Sequence, residues 1–327
     1  MASFRQRKNK WQARVSREGY PDQVKTFETK ADADRWARTV ESLMDKGQFV
    51  DTQEAQRTTL RDIMLRYIQE VTPTMKSAKE DSIRLKAIAR KPIGDWSLSH
   101  LSPSRIAQYR DERLKEVKPA TVIRELAYLS SIINHSRREW SINIPNPVQN
   151  VRKPTSPPGR TRTLSEDEEK NLLISLEPLG RRSPWIYPIV MLALETAMRR
   201  SELLALRWEN IDLKRQTAFL PDTKNGSSRK VPLTLAAVGV LSKLPRNISG
   251  VVFPVKYFTL DAAFKRAVKR AGLIDFHFHD LRHTAISKIA EKLPNLIELS
   301  AVTGHKSLAM LKRYYHPKVE DLAHKLG

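Results

Sequence analysis

The sequence contains no cysteine, and this absence excludes disulfide bonds, thiolate metal sites and thiol nucleophiles. Long apolar runs are missing as well. The best of them covers residues 189–194 and ends at Glu195, far short of a bilayer span. The basic N-terminus has no apolar stretch behind it, so no secretory signal is visible. These absences predict a protein without membrane contact and are compatible with a reducing compartment.

Negative charge is also scarce. The 327 residues include 36 Asp plus Glu against 58 Lys plus Arg, which leaves a formal net charge of +22. Such an excess predicts a polyanionic partner, and nucleic acid is a better match than a membrane surface. The alternative is a basic protein with no such partner. We therefore expect a cytoplasmic, nucleoid-associated protein, and its length allows two or three domains.

The first part of the chain predicts a small module, residues 1–50. Apolar and polar residues alternate over 10–16 and over 23–28, which is the period of β-strands. Thr29 can cap a helix that follows them. A sheet against one helix, with basic residues at its start, suits an arm that reads a nucleic-acid groove; the alternative is a structural cap. The helix stripe and the basic residues are Ala33, Trp36, Val40 and Leu43, and Arg5, Arg7, Lys8, Lys10 and Arg14.

Residues 58–152 predict a helical domain. Thr58 or Thr59 can cap its first helix, Ser102 followed by Pro103 opens another, and the longest helix covers 120–140. Four helices with many exposed basic residues are typical of a DNA-clamping domain, but alone they indicate only a helical domain. The expected apolar positions include Leu60, Ile63, Tyr67, Ile83, Leu85, Ile88, Ile106, Tyr109, Val122, Leu126, Leu129 and Ile133.

Residues 153–159 form the clearest linker, with two proline steps and a glycine among polar residues. Arg160 and Arg162 extend it with positive charge and are candidate DNA contacts. Ser165 to Glu168 is a capping box that opens a new helix. The main domain boundary is predicted here, and the last region covers 160–327.

A strongly apolar helix over 185–195 leads into the first candidate site residue, Arg199. Ser201 is expected to cap the next helix, which would place Arg199 at a helix N-terminus, where backbone N–H groups also favour an anion. Arg199 is therefore a candidate phosphate ligand. The alternative is a surface arginine paired with Glu202.

A hairpin is predicted next, with strands over 216–220 and 230–233 and the turn signal Asn225-Gly226 between them. Lys224 immediately precedes that turn. A lysine at a hairpin tip can contact a phosphate or donate a proton, although most such lysines are only solvated.

Residues 277–284 are dense in histidine. His279 and Arg282 are three apart and share a helix face, which suits a cluster of cations around a phosphate. A zinc site is the alternative, because His279 and His283 have the spacing of two ligands in zinc proteases. Asp280 replaces the expected glutamate there, and Arg282 would place a positive charge beside the metal.

The last candidate segment, 303–316, presents His305 after a glycine turn and then two adjacent tyrosines among basic residues. A phenol has a reference pKa of about 10, so a nucleophilic tyrosine needs cations and a base around it. Tyr314 is the candidate nucleophile, and Tyr315 leaves some ambiguity. The alternative is a basic helix end with a half-buried tyrosine pair.

Taken in order, Arg199, Lys224, His279 with Arg282, His305 and Tyr314 resemble the signature of tyrosine recombinases, the phage integrase family. The middle region is similar to the family's helical core-binding (SAM-like) domain. The first fifty residues resemble the arm-binding module of temperate-phage and genomic-island integrases, and the chain from 120 onward also resembles shufflon DNA invertases. Two motifs depart mildly from the family pattern: Thr196-Ala197-Met198-Arg199 for Thr-Gly-x-Arg, and Thr303-Gly304-His305 for Leu-Gly-His.

The resemblance implies a multidomain, mainly α fold with small β elements, ending in a mixed, mostly α catalytic domain with a C-terminal tail helix. It implies that Tyr314 attacks a DNA phosphodiester and forms a 3′-phosphotyrosine, with the arginines and His305 stabilising charge, His279 accepting or relaying the phenol proton, and Lys224 protonating the leaving oxygen. No metal, ATP or other cofactor is expected. The apolar stripe of the tail helix is Val319, Leu322, Ala323 and Leu326.

The expected partners are double-stranded DNA at core and arm-type sites and three further copies in a tetramer. DNA-bending and directionality proteins are additional candidates. Integration and excision of a prophage or mobile element is the first expectation, and shufflon-type inversion is the alternative. A catalytically silent DNA-binding regulator, a zinc hydrolase and a type IB topoisomerase are the competing classes, and the tail helix can dock in cis or in trans.

Overall fold

In a computed structural model of the protein, the chain divides into two compact units, residues 1–158 and 159–327. The structure describes residues 2–47, 49, 53–156, 158–180, 182–221, 228–314, 323 and 327. Within these ranges the chain is mostly helical, with two small sheets, as the sequence predicted. None of the helices there combines the length and apolarity that a membrane crossing requires.

The first unit begins with a three-stranded antiparallel sheet in the order β1-β2-β3, followed by α1. Its elements are β1 (Ala2–Arg7), β2 (Lys10–Arg17), β3 (Tyr20–Phe27) and α1 (Lys30–Asp45). The alternation patterns predicted β2 and β3, and the cap with its apolar stripe predicted α1. The patterns missed β1, whose sequence is largely polar. Lys8 and Asn9 join β1 to β2 with φ values of 41° and 57°, the left-handed pair that a two-residue hairpin turn requires.

The predicted face of α1 is partly wrong. Ala33 and Val40 are buried as expected, but Leu43 is exposed, and the core is completed by Ala37 and Met44. The buried face therefore follows positions 33, 37, 40 and 44 instead of 33, 36, 40 and 43. Thr29 caps it as predicted, accepting a hydrogen bond from the Asp32 N–H at 3.2 Å.

The helical part of the first unit has its own apolar core. Its helices are α2 (Gln53–Arg57), α3 (Leu60–Glu70), α4 (Ala78–Ala89), α5 (Pro103–Glu116) and α6 (Pro119–Glu139). The Thr59 and Ser102 caps are confirmed, and Leu126 and Ile133 are fully buried. Ile83, one of the apolar residues named in the predicted helices, is exposed.

The second unit is organised around α8, the apolar run that the sequence predicted to be central. Its helices are α7 (Glu166–Leu176), α8 (Ile186–Thr196), α9 (Arg200–Leu204), α10 (Leu235–Ser242), α11 (Tyr257–Arg270), α12 (Phe278–Lys292), α13 (Leu296–Thr303) and α14 (Leu308–Leu311). An antiparallel sheet joins β4 (Ile211–Asp212), β5 (Thr217–Leu220) and β6 (Arg229–Pro232). The capping box at Ser165 opens α7 as predicted.

Candidate active site

Arg199 occupies the N-cap position of α9, so its predicted place at a helix N-terminus is confirmed. The predicted cap at Ser201 is wrong, because the helix begins at Arg200. The third residue of the helix, Glu202, accepts the Arg199 backbone N–H at 2.9 Å and the Arg199 Nη1 at 2.7 Å. The same carboxylate therefore holds both the backbone and the guanidinium of Arg199.

Glu202 is shared between two arginines. Arg229 of β6 donates from Nη1 and Nη2 to its two oxygens, at 3.0 and 2.9 Å. Burial raises the pKa of this carboxyl, since only 4% of the residue is exposed, but the hydrogen bonds from Arg229 and Arg199 outweigh it and hold the pKa at about 2. Glu202 is thus ionised at neutral pH. Sequence reasoning missed Arg229, which no motif marks and which reaches Glu202 from the first position of β6.

Arg282 of α12 is buried and connects two turns. Its terminal nitrogens donate to the Ala197 carbonyl and, at 2.6 Å, to the Thr303 carbonyl. It therefore joins the turn that carries Arg199 to the turn that carries His305. A guanidinium has five N–H groups, so these two bonds to carbonyls do not use all of its donors. Burial, and then the positive charge of Arg199, lowers the pKa of Arg282 to about 9.

His305 follows the left-handed residue that ends α13. Gly304 has φ 68°, and a Cβ there would lie 2.8 Å from Arg229 Nη1, so only glycine fits without displacing that arginine. The His305 Nδ1 lies 2.8 Å from Thr303 Oγ1. Burial, and then the nearby guanidinium of Arg282, lowers the pKa of His305 to about 4, so its imidazole is neutral at pH 7. We call Arg199, Glu202, Arg229, Arg282 and His305 the arginine cage.

The cage opens onto a cavity of about 610 Å³. Arg199, Arg282 and His305 line it and come from separate segments of the chain. His279, in the first turn of α12, lines it as well. The full lining is Arg199, Arg200, Ser201, Tyr257, Phe278, His279, Arg282, His305, Lys306, Ser307 and Met310. The fold therefore brings together four of the six predicted catalytic residues.

Tyr314 lies beside this group, in the 3₁₀ turn that follows α14. Its phenol oxygen is hydrogen-bonded to Nδ1 of His283, and the two rings stack with centroids 5.8 Å apart. The sequence predicted His279 as the acceptor or relay for the phenol proton. In the structure the imidazole on the phenol is His283, and His279 meets it edge to face one helical turn away, at 5.3 Å.

Burial raises the pKa of the Tyr314 phenol, and this effect exceeds the opposite effects of the positive charges of Arg313 and Arg282. The phenol is therefore protonated at neutral pH. Sequence spacing had suggested His283 only as a zinc ligand. Across the described part of the chain, no three His, Asp or Glu side chains converge on a point where a metal could sit.

The two linker arginines have carboxylate partners. Arg160 donates to Asp280 at 2.8 and 3.0 Å and to Asp275 at 2.9 Å, and Arg162 donates to Glu168 at 2.8 Å. Arg160 therefore joins the start of the second unit to the first turn of α12, and Arg162 joins it to the first turn of α7. DNA contact by the two arginines stays a prediction.

The basic residues of the first module share one side of its sheet. Arg5 pairs across β1 and β2 with Gln12, Arg7 with Lys10, and Arg14 with Ser3. Along β2, Lys10 and Arg14 alternate with Ala13 and Val15, which face α1 and are buried. Residues paired directly across two strands lie on the same face of the sheet. Arg5, Arg7, Lys10 and Arg14 therefore lie on the exposed face, and Lys8 occupies the hairpin turn between β1 and β2.

Several predicted residues lie outside the residues that the structure describes. Lys224 falls within 222–227, and Tyr315 falls within 315–322. The predicted tail helix is likewise outside them apart from Ala323. The roles assigned to these residues stay predictions.

Acid is expected to weaken the fold in two pH windows. Burial also lowers the pKa of His283 to about 4, as for His305, against an ordinary value of 6.5. The unfolded chain then binds more protons than the native protein, so stability should fall as the pH drops from about 6.5 to 4, by on the order of 1 kcal/mol or more per histidine. Glu202, with a pKa of about 2 against 4.5, adds a second loss as the pH drops below 4.5.

Urea unfolding midpoints measured from pH 7.5 to 3 test this expectation. His305→Asn should reduce the loss in the upper window, where His283 still contributes, and leave the lower window in place. A midpoint that stays constant between pH 7 and 4.5 in the unmodified protein would contradict the assignment of two neutral, buried imidazoles.

Comparison with known proteins identifies the family of this chain. The model described as phage integrase family matches residues 162–321, and the phage integrase N-terminal domain matches residues 56–154. The chain is 42% identical over 270 residues to the shufflon-specific DNA recombinase of Escherichia coli, covering 80% of this chain and 70% of that protein.

Solved structures share the fold. The Tn1549 transposon integrase in complex with circular intermediate DNA superposes with a TM-score of 0.67 at 17% identity, over 83% of this chain and 99% of that one. A lambda integrase tetramer bound to a Holliday junction gives 0.63 at 21% identity, over 93% and 95%. Two family models in chain order and a relative at 42% identity decide the classification. The chain belongs to the phage integrase family and is a tyrosine-type site-specific recombinase.

Proposed function

We propose that this protein cuts one strand of a DNA duplex with Tyr314, holds the strand as a 3′-phosphotyrosine, and passes it to a second duplex. The observation that supports this most is the meeting of Arg199, Arg282 and His305 at one cavity, next to a tyrosine that is hydrogen-bonded to an imidazole. A phosphodiester is anionic and repels nucleophiles. A site that cuts it must therefore supply fixed positive charge and an acceptor for the phenol proton.

The cage residues divide this work. Arg199 and Arg282 can donate N–H groups to the non-bridging oxygens, where negative charge grows during attack. His305 adds a third donor once the phosphate charge favours its protonation. Lys224 is assigned, from the sequence alone, to protonate the departing 5′-oxygen. Because the phosphotyrosine conserves the bond energy, rejoining needs no ATP.

The first unit offers surfaces for the rest of the DNA. The exposed sheet face that carries Arg5, Arg7, Lys10 and Arg14 suits arm-type sites, because basic residues in register can follow a phosphate backbone. The helical part of that unit would hold the core site. Assembly into a tetramer follows the lambda integrase structure, where four copies bind one junction.

Integration and excision of a mobile element is the outcome we favour, because the sheet-and-helix module resembles the arm-binding module of phage integrases. DNA inversion is the second candidate, and the 42% identity to a shufflon-specific recombinase favours it. A plasmid that carries two target sites separates these outcomes, since inverted sites report inversion and directly repeated sites report excision.

A nicked suicide substrate tests the proposed function. The duplex would contain the site that the protein protects when DNA flanking its gene is footprinted. We expect a protein–DNA adduct that survives denaturing electrophoresis and forms in the presence of EDTA without ATP. A DNA complex that shifts in native gels but never yields an adduct would instead identify a silent regulator, and free DNA ends that disappear on chelation would identify a metal hydrolase.

A further inference from the structure

We propose that His283 is the catalytic base for Tyr314: its Nδ1 takes the phenol proton as the phenol oxygen attacks phosphorus. This inference rests on the proposed function and assigns a role that the sequence pattern had given to His279. The carrying observation is direct contact with the reacting atom, since Nδ1 of His283 is the hydrogen-bond partner of the Tyr314 hydroxyl.

The position of His283 in the fold favours this role. It follows Arg282 directly on α12, so one rigid helix carries both a phosphate ligand and the imidazole on the nucleophile. The His283 and Tyr314 rings are nearly parallel, with an angle of 25° between their planes. Tyr314 lies against the small apolar cluster that includes Ala285 and Leu311, so packing holds the phenol ring in place beside His283.

The proton positions follow from the same contact. Burial, and then the positive charge that His279 can carry, lowers the pKa of His283 to about 4, so the imidazole is neutral and has a lone pair on one nitrogen. The phenol keeps its proton and donates it, which assigns the lone pair to Nδ1 and the ring N–H to Nε2. A scissile phosphate in the cage would add negative charge nearby and make this imidazole more basic.

The step balances as a single displacement. The O–H bond of Tyr314 breaks, its proton moves to Nδ1 of His283, and the phenol oxygen forms a bond to phosphorus. The bond from phosphorus to the 5′-oxygen breaks with its electron pair, and that oxygen takes a proton from Lys224, the donor assigned from the sequence. In the rejoining step the 5′-hydroxyl gives its proton back to Lys224 as its oxygen attacks phosphorus. The bond from phosphorus to the Tyr314 oxygen breaks, and the phenolate takes back its proton from His283.

His283→Asn is the decisive variant. An asparagine carbonyl can still accept the phenol hydrogen bond near the Nδ1 position, but it cannot take up a proton. We expect single-turnover cleavage of the suicide substrate to fall by roughly 10²-fold or more, the usual contribution of a general base, with DNA affinity and melting temperature close to those of the unmodified protein. His277→Ala removes an exposed imidazole from the start of the same helix and is expected to cleave normally.

A second measurement separates proton transfer from positioning. Fluorinated tyrosine at position 314 has a more acidic phenol and depends less on a base. It should restore His283→Asn cleavage at least tenfold while changing the unmodified protein little. A structural role for His283 predicts no such restoration.

The outcomes distinguish failure of the proposed function from failure of the His283 assignment. If the unmodified protein forms no adduct, the proposed function fails. If it forms an adduct and His283→Asn cleaves within about threefold of it, the base is not His283. Slow cleavage that fluorotyrosine does not restore also overturns the assignment, because His283 then acts only through packing.

Discussion

Tyr314→Phe is expected to abolish the covalent adduct, with a loss on the order of 10⁴-fold or more, as for removal of other catalytic nucleophiles. The substitution deletes one hydroxyl and keeps the ring that stacks on His283. Its cost to stability should therefore be about 1 kcal/mol, the net worth of one hydrogen bond. Adduct formation on the nicked substrate, with native-gel affinity measured in parallel, provides the readout.

Tyr315→Phe is the matched control, since it removes the same atom from the neighbouring residue. It should form the adduct at close to the normal rate. If instead Tyr315→Phe lost the adduct and Tyr314→Phe kept it, the nucleophile would be Tyr315, and the contact between His283 and Tyr314 would have another purpose.

Glu202→Ala is expected to cause the largest loss of stability, about 3–5 kcal/mol, because it removes the buried anion shared by two arginines. Arg199 and Arg229 would then face each other and Arg282 without compensation. Cleavage should also slow strongly, since Arg199 loses the partner that fixes its guanidinium. Denaturant midpoints in low-phosphate buffer measure the stability, and single-turnover cleavage measures the activity.

Glu209→Ala is the control for this variant. Its carboxylate also pairs with an arginine, Arg207, but both groups are exposed, so the loss should stay under about 1 kcal/mol. Added sulfate or phosphate should partly restore Glu202→Ala, because an anion in the cage replaces the lost charge. Equal losses in the two variants would show that Glu202 does not organise the cage.

The sequence predicted which candidate catalytic residues would meet better than it predicted the residues that hold them in place. Arg199, His279, Arg282 and His305 could be selected because the reaction demands cations and imidazoles in separate motifs, and the fold places them at one cavity. The supporting groups carry no such pattern. Arg229 lies 27 residues from Glu202 in the sequence, and the two meet only in the folded structure.

His283 shows a different limit of sequence reasoning. Its spacing from His279 is that of two metal ligands, and spacing alone does not say which imidazole faces Tyr314, 31 residues away. The missed strand β1 has a similar cause. Its side chains are mostly polar, and its register depends on pairing with β2, which local alternation does not record.

Because Arg199 and Arg229 share one carboxylate, Glu202, the net charge of the arginine cage can be compared with the charge of the DNA phosphate before and during attack. With His305 neutral, the cage holds three guanidinium charges against one carboxylate, which leaves two positive charges. An intact phosphodiester has one negative charge, whereas the five-coordinate phosphorus formed during attack has two. On the proposed mechanism, the net charge of the cage is therefore matched to the state at the top of the barrier, and we expect uncut DNA to be held less tightly than DNA in the act of being cut.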